Sequence, residues 1–547
     1  MNKEKIKSWL KRKHNLLFLA ILVFAIVIRL YFFVKTLGQP LWWDEADYLA
    51  YAKNLAGFPI TWVATAQHNS LYSFLAASIF RFGLDELSIK FLLQFIPSVL
   101  TIFLVYLIAT NMYKDKRIGL ISAFLMSVFW VHLFNSTRFH VDISGIFFGL
   151  LAIYVFWKGY ERKEKLFGKL NSNWAIPLVA VLLVLAYSIR RGYTLFALFL
   201  IIYLALTKNW NNLFKDKHNW IGLIIGLVLF SLVEILVFSS GIGEVSGTYY
   251  HEEFPINFLP LEVFNSFFAL GGYIKSIWLY LFIVGVIIYI SNIALSFGFI
   301  KKAEGKEVRA DLFNLLTIIL TLAFFIFVLR SQESFGEPRW YLPLIFGTMV
   351  GISKGSLFLA DLLKKHNKYL GVVAILVFLG IGGFYQLELS NNLINSKLNT
   401  FEGIKQTSLN IKEISTKNDL IITRGQPQVE YYSERKTVNP QDWAGADFRN
   451  SSLLQQHFEA TMKKIAETPE AKFLIISFSE PGYPEWMRKI HADNGAIRGW
   501  EIPFMDSKID FINGHQDIKN FVTHEEYGIS FRLRSINQEI FLYEIEK

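Results

Sequence analysis

Cysteine is absent from this 547-residue chain, which excludes disulfide scaffolds, thiolate metal sites and cysteine nucleophiles. Charge is scarce as well. Only 18% of residues are Asp, Glu, Lys or Arg, where an ordinary soluble protein carries roughly a quarter. A water-soluble globule, a disordered chain and a coiled coil are therefore excluded. Internal repeats and low-complexity linkers are missing too. What the chain has instead is apolar and aromatic surface: 53% of its residues are hydrophobic, with 51 Phe, 24 Tyr and 14 Trp. The net charge is +10, but the placement of the basic residues makes it a topology signal and argues against a nucleic-acid partner.

A bilayer span needs about 20 mostly apolar residues, since the hydrocarbon core is about 30 Å thick and a helix rises about 1.5 Å per residue. Stretches that meet or approach this lie at 15–36, 91–113, 118–137, 143–157, 170–189, 192–207, 219–239, 276–300, 312–329, 340–360 and 369–387, about eleven in all, with those at 143–157 and 192–207 short. The loops between them alternate in charge. Lys3 to Lys13, Lys114 to Arg117, Lys158 to Lys169, Lys208 to Lys217, Lys301 to Arg309 and Lys364 to Lys368 are basic, whereas 38–87, 138–142, 240–274 and 331–339 are acidic or neutral. Basic loops accumulate in the cytoplasm, so the N-terminus is expected inside and the acidic loops outside, in a multi-pass protein of the plasma membrane. Segments 45–56 and 69–82 are too short to cross and read as amphipathic helices in the outer interface.

The expected fold is thus a polytopic α-helical membrane domain over 1–389, with its first outer loop at 38–87. A soluble extracytoplasmic α/β domain follows at 390–547. In that domain 419–423, 472–477 and 539–545 read as strands, and 401–415, 450–467 and 483–494 as helices.

Ionisable residues beside apolar spans are costly, so their default reading is functional. Here they gather at the level of the outer face. Asp44 and Glu45 follow the first span; Asp142 lies beside Arg138 and His140; Arg190 and Arg191 stand between two apolar stretches; Arg339 opens the tenth span; and His251, Glu252 and Glu253 sit in an outer loop. A carboxylate in such a set can take the proton of an acceptor hydroxyl attacking a sugar carbon. Arginines can hold and neutralise a departing phosphate. A lipid-linked sugar phosphate brings its own membrane anchor to such a place. Plainer readings stand beside this one: Asp44 as a helix N-cap, Glu45 as a dipole-favoured first-turn residue, Asp142 as a structural bridge to Arg138 or Arg29, and Arg190 and Arg191 as side chains reaching lipid headgroups. Asp44, Asp142, His251 and Glu252 could hold a divalent ion (Mg, Mn or Zn), although no spacing demands one.

Several segments resemble family 39 glycosyltransferases, the protein O-mannosyltransferases and lipid A aminoarabinose transferases. Trp42-Trp43-Asp44-Glu45-Ala46-Asp47-Tyr48, with Ala52-Lys53-Asn54-Leu55 after it, is similar to that family's first-loop signature. Leu71-Tyr72 continues a degenerate second motif, and Arg138-Phe139-His140-Val141-Asp142 resembles the family's R-x-x-x-D. Ser188-Ile189-Arg190-Arg191-Gly192 occupies the place of a lysine motif, and Glu337-Pro338-Arg339-Trp340-Tyr341-Leu342-Pro343 is like a segment opening a late span. The resemblance covers about residues 1–390. It implies the GT-C fold, a sugar donor on polyprenyl or dolichyl phosphate, and an inverting reaction onto a protein, lipid or glycan acceptor. Asp44 would be the base and Asp142 the second acidic residue, with Glu45 beside them. Arg190, Arg191, Arg339, Arg138 and His68 would lie around the donor phosphate. The sequence departs from the pattern at Gln67-His68-Asn69-Ser70, where a proline pair is missing. An oligosaccharyltransferase, a transporter or flippase, and a sensor with a working outer domain are the rivals. The first would carry a Trp-Trp-Asp-Tyr-Gly motif, for which Gln441-Asp442-Trp443-Ala444-Gly445 is no match.

Overall fold

The computed structural model describes residues 11–64, 70–236, 274, 277–302, 305–325, 338–423, 425–439, 454–477, 521–524, 527–537 and 540–547. The chain divides into two compact units. The first comprises Met1–Leu37, Asn69–Tyr72 and Asp85–Lys397, and the second Gly38–His68, Ser73–Leu84 and Leu398–Lys547. The segment after the first long helix thus belongs with the C-terminal part of the chain.

The first unit is a helical bundle. Among the described residues, eight helices are long and apolar enough to cross a membrane. They are α1 (Lys13–Lys35), α4 (Glu86–Tyr113), α7 (Val141–Glu161), α8 (Ser172–Ile189), α10 (Lys217–Leu236), α11 (Ile277–Phe299), α13 (Pro338–Lys364) and α14 (Lys368–Lys397). The other apolar stretches are helical too: α5 (Lys116–Val128) with α6 (Trp130–Asn135), α9 (Arg191–Thr207) and α12 (Lys306–Phe324). They fall short as single spans, α5 and α9 by length and α12 by the charges of its first turns, Lys306, Glu307, Arg309 and Asp311. In α13, 83% of the apolar window is buried against 6% in α10, so α13 is central and α10 peripheral.

Two local features explain how the bundle closes. Phe129 is extended (φ −63°, ψ 117°), which ends α5 and restarts the chain as α6. The last carbonyls of α5 would be orphaned in an apolar interior. Buried Arg29 of α1 reaches them, donating to Ser127 O at 2.8 Å and Met126 O at 3.4 Å, with His132 Nδ1 3.0 Å away. A cation at a helix C-terminus also suits the dipole. Elsewhere the helices approach backbone to backbone. A Cβ on Gly285 of α11 would collide with the Gly351 carbonyl of α13, and one on Gly355 with the Leu281 carbonyl. Small residues permit such contact where no water drives helices together. Gly285→Leu is expected to destabilise the bundle by about 1–3 kcal/mol through overpacking. Thermal unfolding in detergent reads this, and an unchanged midpoint contradicts it.

The second unit is built on a six-stranded sheet of order β2-β1-β3-β6-β5-β4. Its strands are β1 (Leu420–Ile422), β2 (Lys436–Val438), β3 (Ala471–Ser477), β4 (Phe521–His524), β5 (Ile529–Asn537) and β6 (Ile540–Glu546). β1 pairs parallel with β2 and β3, and the remaining pairs are antiparallel. Helices α15 (Glu402–Ile414), α16 (Gln426–Ser433) and α17 (Leu454–Glu467) complete the C-terminal part, and α2 (Trp43–Ala56) joins it from the loop. Helix α3 (Leu71–Arg81) begins in the first unit and continues in the second. One core face gathers Ile404, Ile411, Ile421, Val429, Phe473 and Leu542. The helix expected at 483–494 lies outside the described residues.

Candidate active site

In the first unit, His140 is extended (φ −86°, ψ 134°) and α7 starts at Val141, which puts Asp142 in the first turn. A carboxylate is favoured there by the helix dipole. Asp142 is 1% exposed, so its charge needs a partner. Arg190, extended between α8 and the 3-10 turn Arg191–Tyr193, supplies it: its Nη1 pairs with Asp142 Oδ1. The Tyr193 hydroxyl stands 3.2 Å from the same oxygen and 2.9 Å from the Asp142 backbone carbonyl. Glycine makes that possible, because a Cβ on Gly145 would strike the Tyr193 ring and one on Gly149 the Phe196 ring. Asp142 Oδ2 is buried and has no hydrogen-bond partner among the described residues.

The cluster extends on both sides. The Arg190 guanidinium carbon lies 5.4 Å from the Trp340 ring centroid, a cation–π arrangement. The next residue along, Arg339, brings Nη1 to 2.7 Å from His140 Nδ1. Gln94 Nε2 donates to the His140 carbonyl at 2.9 Å and to Tyr72 Oη at 2.9 Å, which fixes the turn before α7. Arg138 is buried at 1% exposure, and Arg191 is half-buried. Residues far apart in sequence, at 140, 142, 190, 193, 339 and 340, are thus gathered at one place in this unit. Two guanidiniums against one carboxylate leave an excess of positive charge, with planar forks suited to phosphate oxygens.

In the second unit, Trp42 is the N-cap of α2, so Asp44 is its second residue and partly exposed. Glu45, 1% exposed, accepts from the Trp42 backbone N–H at 2.8 Å, which accounts for its side chain as a cap. Asp47 Oδ1 accepts from Trp62 Nε1 at 2.6 Å.

His68, His251 and Glu252 lie outside the described residues. Among the described ones, no group of three or more His, Asp or Glu is placed to hold a metal ion. Asp142 in particular already has a guanidinium on one oxygen. Tyr193 and Trp340 are not singled out by the sequence, although Gly145 and Gly149 face the Tyr193 and Phe196 rings. Glu234 accepts a hydrogen bond from the Tyr187 hydroxyl.

Residues 68–235 match the profile of the dolichyl-phosphate-mannose-protein mannosyltransferase family. The structure is similar to ArnT from Cupriavidus metallidurans bound to undecaprenyl phosphate, with a TM-score of 0.59 and 11% identity over 95% of this chain and 97% of that one. The chain has the GT-C fold. A second GT-C structure, the Archaeoglobus fulgidus oligosaccharyltransferase tethered with an acceptor peptide, gives a TM-score of 0.56 and 14% identity over 86% of this chain and 70% of that one. The same archaeal enzyme in complex with an inhibitory peptide and a dolichol-phosphate gives 0.56 and 13%. Nothing among curated proteins matches. The profile match and the structural similarities agree on the GT-C fold.

Proposed function

We propose that this GT-C protein is an inverting glycosyltransferase, moving a hexose or pentose from a polyprenyl or dolichyl phosphate to an acceptor hydroxyl at the extracytoplasmic face. The observation that carries the reading is the Asp142–Arg190 pair with Tyr193, His140, Arg339 and Trp340 around it. Asp44 takes the acceptor proton as the hydroxyl oxygen attacks the anomeric carbon. The bond from that carbon to the phosphate oxygen breaks on the opposite face, and its electron pair leaves with the phosphate. Arg190 and Arg339 meet the new charge, because guanidinium forks aimed at a developing phosphate act where water is excluded. Asp142 serves by holding the Arg190 fork in orientation.

A cavity of about 420 Å³ among α8, α9 and α10 has an apolar lining that includes Leu183, Leu200, Leu223, Trp210 and Trp220, and it lies along the part of α8 away from Arg190. The alternation of loop charge supports the outward placement. The acceptor, whether protein, lipid or glycan, is met by Asp44.

The test is a transfer assay with labelled sugar on polyprenyl phosphate and membranes carrying Arg339→Ala. Losing one charge-assisted contact of about 1.5–3 kcal/mol lowers kcat/KM for the donor about 10- to 150-fold. A kcat/KM equal to wild type removes Arg339 from the phosphate site.

A further inference from the structure

The eight-residue helix α16 touches the Asp44 segment on both sides of Asp44, all within the second unit. Before it, the Leu41 backbone N–H donates to Tyr432 Oη at 2.8 Å. After it, Lys53 Nζ donates to the Tyr431 carbonyl at 2.9 Å and to Glu434 Oε1 at 3.0 Å, and lies 4.1 Å from the Tyr431 ring centroid. Further on, Thr61 gives both its backbone N–H and its hydroxyl to Glu430 Oε1, at 3.2 and 3.0 Å. Ahead of all three, Lys405 of α15 donates to the Gly38 carbonyl.

Among these contacts the burial of the Glu430 carboxyl is the costly one. Glu430 is 1% exposed, Tyr431 3% and Tyr432 7%, and Leu41 is fully buried. Burial pushes the Glu430 carboxyl up to about 7 against the hydrogen bonds from Thr61, and its Oε2 has no hydrogen-bond partner among the described residues. Glu434 carries two lysines, Lys53 and Lys412, the latter at 2.9 Å. Helix α16 is itself anchored, because Val429 is fully buried in the core face with Ile421 and Phe473. A continuous chain of contacts therefore runs from the sheet through α16 to residues 41, 53 and 61.

We infer that Glu430, Tyr432 and Glu434 of the C-terminal domain are positioning residues for the Asp44 segment, so that this domain sets the placement of the proposed base. The inference rests on Asp44 acting as that base. Misplacing a reacting group by about 1 Å can cost roughly 10²-fold.

The test uses the full chain in detergent or membranes, with three readouts. Tyr432→Phe removes only the hydroxyl that accepts from Leu41. Hydrogen exchange at the Leu41 amide then speeds up, kcat falls about tenfold, and the donor KM stays within twofold. In the Asp44→Asn background the same substitution has no further effect on kcat, because a residue that acts only through Asp44 is coupled to it and the two losses do not add. Glu430→Ala and Glu430→Gln form the second arm: Gln keeps an acceptor for Thr61 and restores kcat, whereas Ala does not. Faster exchange at Leu41 with kcat unchanged overturns the positioning role and leaves the base role intact. Full activity in Asp44→Asn overturns the base reading instead, whatever the exchange data give. Equal kcat in Glu430→Ala and Glu430→Gln also overturns the positioning role.

Discussion

Asp44→Asn is expected to lower the transfer rate by about 10²- to 10⁴-fold, the usual contribution of a positioned general base. The substitution keeps size and polarity but removes the lone pair that accepts a proton. Asp44 occupies the second position of α2, and the N-cap backbone group is already satisfied by Glu45. The helix therefore keeps its cap in the variant, and the loss reads on chemistry. The donor KM should be unchanged within twofold, since the lipid phosphate is assigned to the first unit. The measurement is the initial rate with saturating donor. A rate within threefold of wild type would remove Asp44 from the reaction.

The second large effect is expected at Arg190. Arg190→Ala takes away a phosphate donor and simultaneously strips the partner from Asp142, which is 1% exposed. An uncompensated buried carboxylate costs about 3–5 kcal/mol, so this variant confounds stability with donor use. The pair of variants Arg190→Ala/Asp142→Asn and Arg190→Lys separates them. The first removes both charges, keeps Tyr193 beside a neutral amide, and restores the melting temperature. Its kcat/KM for the donor still falls about 10²- to 10³-fold, as for the loss of an oxyanion donor. Arg190→Lys keeps one positive charge without the planar fork and recovers part of the loss. Donor efficiency restored together with stability in the double variant would show that Arg190 is a structural partner of Asp142 alone.

How much of this was legible in the sequence follows from range. Apolar runs and charge alternation are local, and every stretch read as a span is mainly helical where described, with a break at Phe129 in 118–137. Strands at 420–422, 471–477 and 540–546 were legible for the same reason. The R-x-x-x-D and Arg190-Arg191 segments contain two residues that the fold pairs, Asp142 and Arg190, but that pairing spans 48 positions and shows no periodicity. Other buried charges settle by equally distant pairing. Asp311 accepts from Tyr113 at 2.7 Å and meets Lys354 at 2.5 Å, while Glu161 meets Lys208 at 2.5 Å and Arg309 at 3.3 Å. The role of Arg29 comes from a helix break at Phe129 that no turn residue announces. The grouping of 38–64 with the C-terminal domain was the least legible. It depends on Tyr432 lying 391 positions from Leu41, and on a short helix, α16, whose polar sequence reads as loop.

The central claim is that the chain transfers a sugar from a lipid phosphate with inversion. Purified protein supplied with sugar on polyprenyl phosphate and an acceptor tests it in one assay that follows the freed lipid and the anomeric configuration of the product. The account predicts one polyprenyl phosphate released per sugar transferred, and a glycosidic bond of configuration opposite to that in the donor. Retained configuration, or sugar transfer without release of the lipid phosphate, would contradict it.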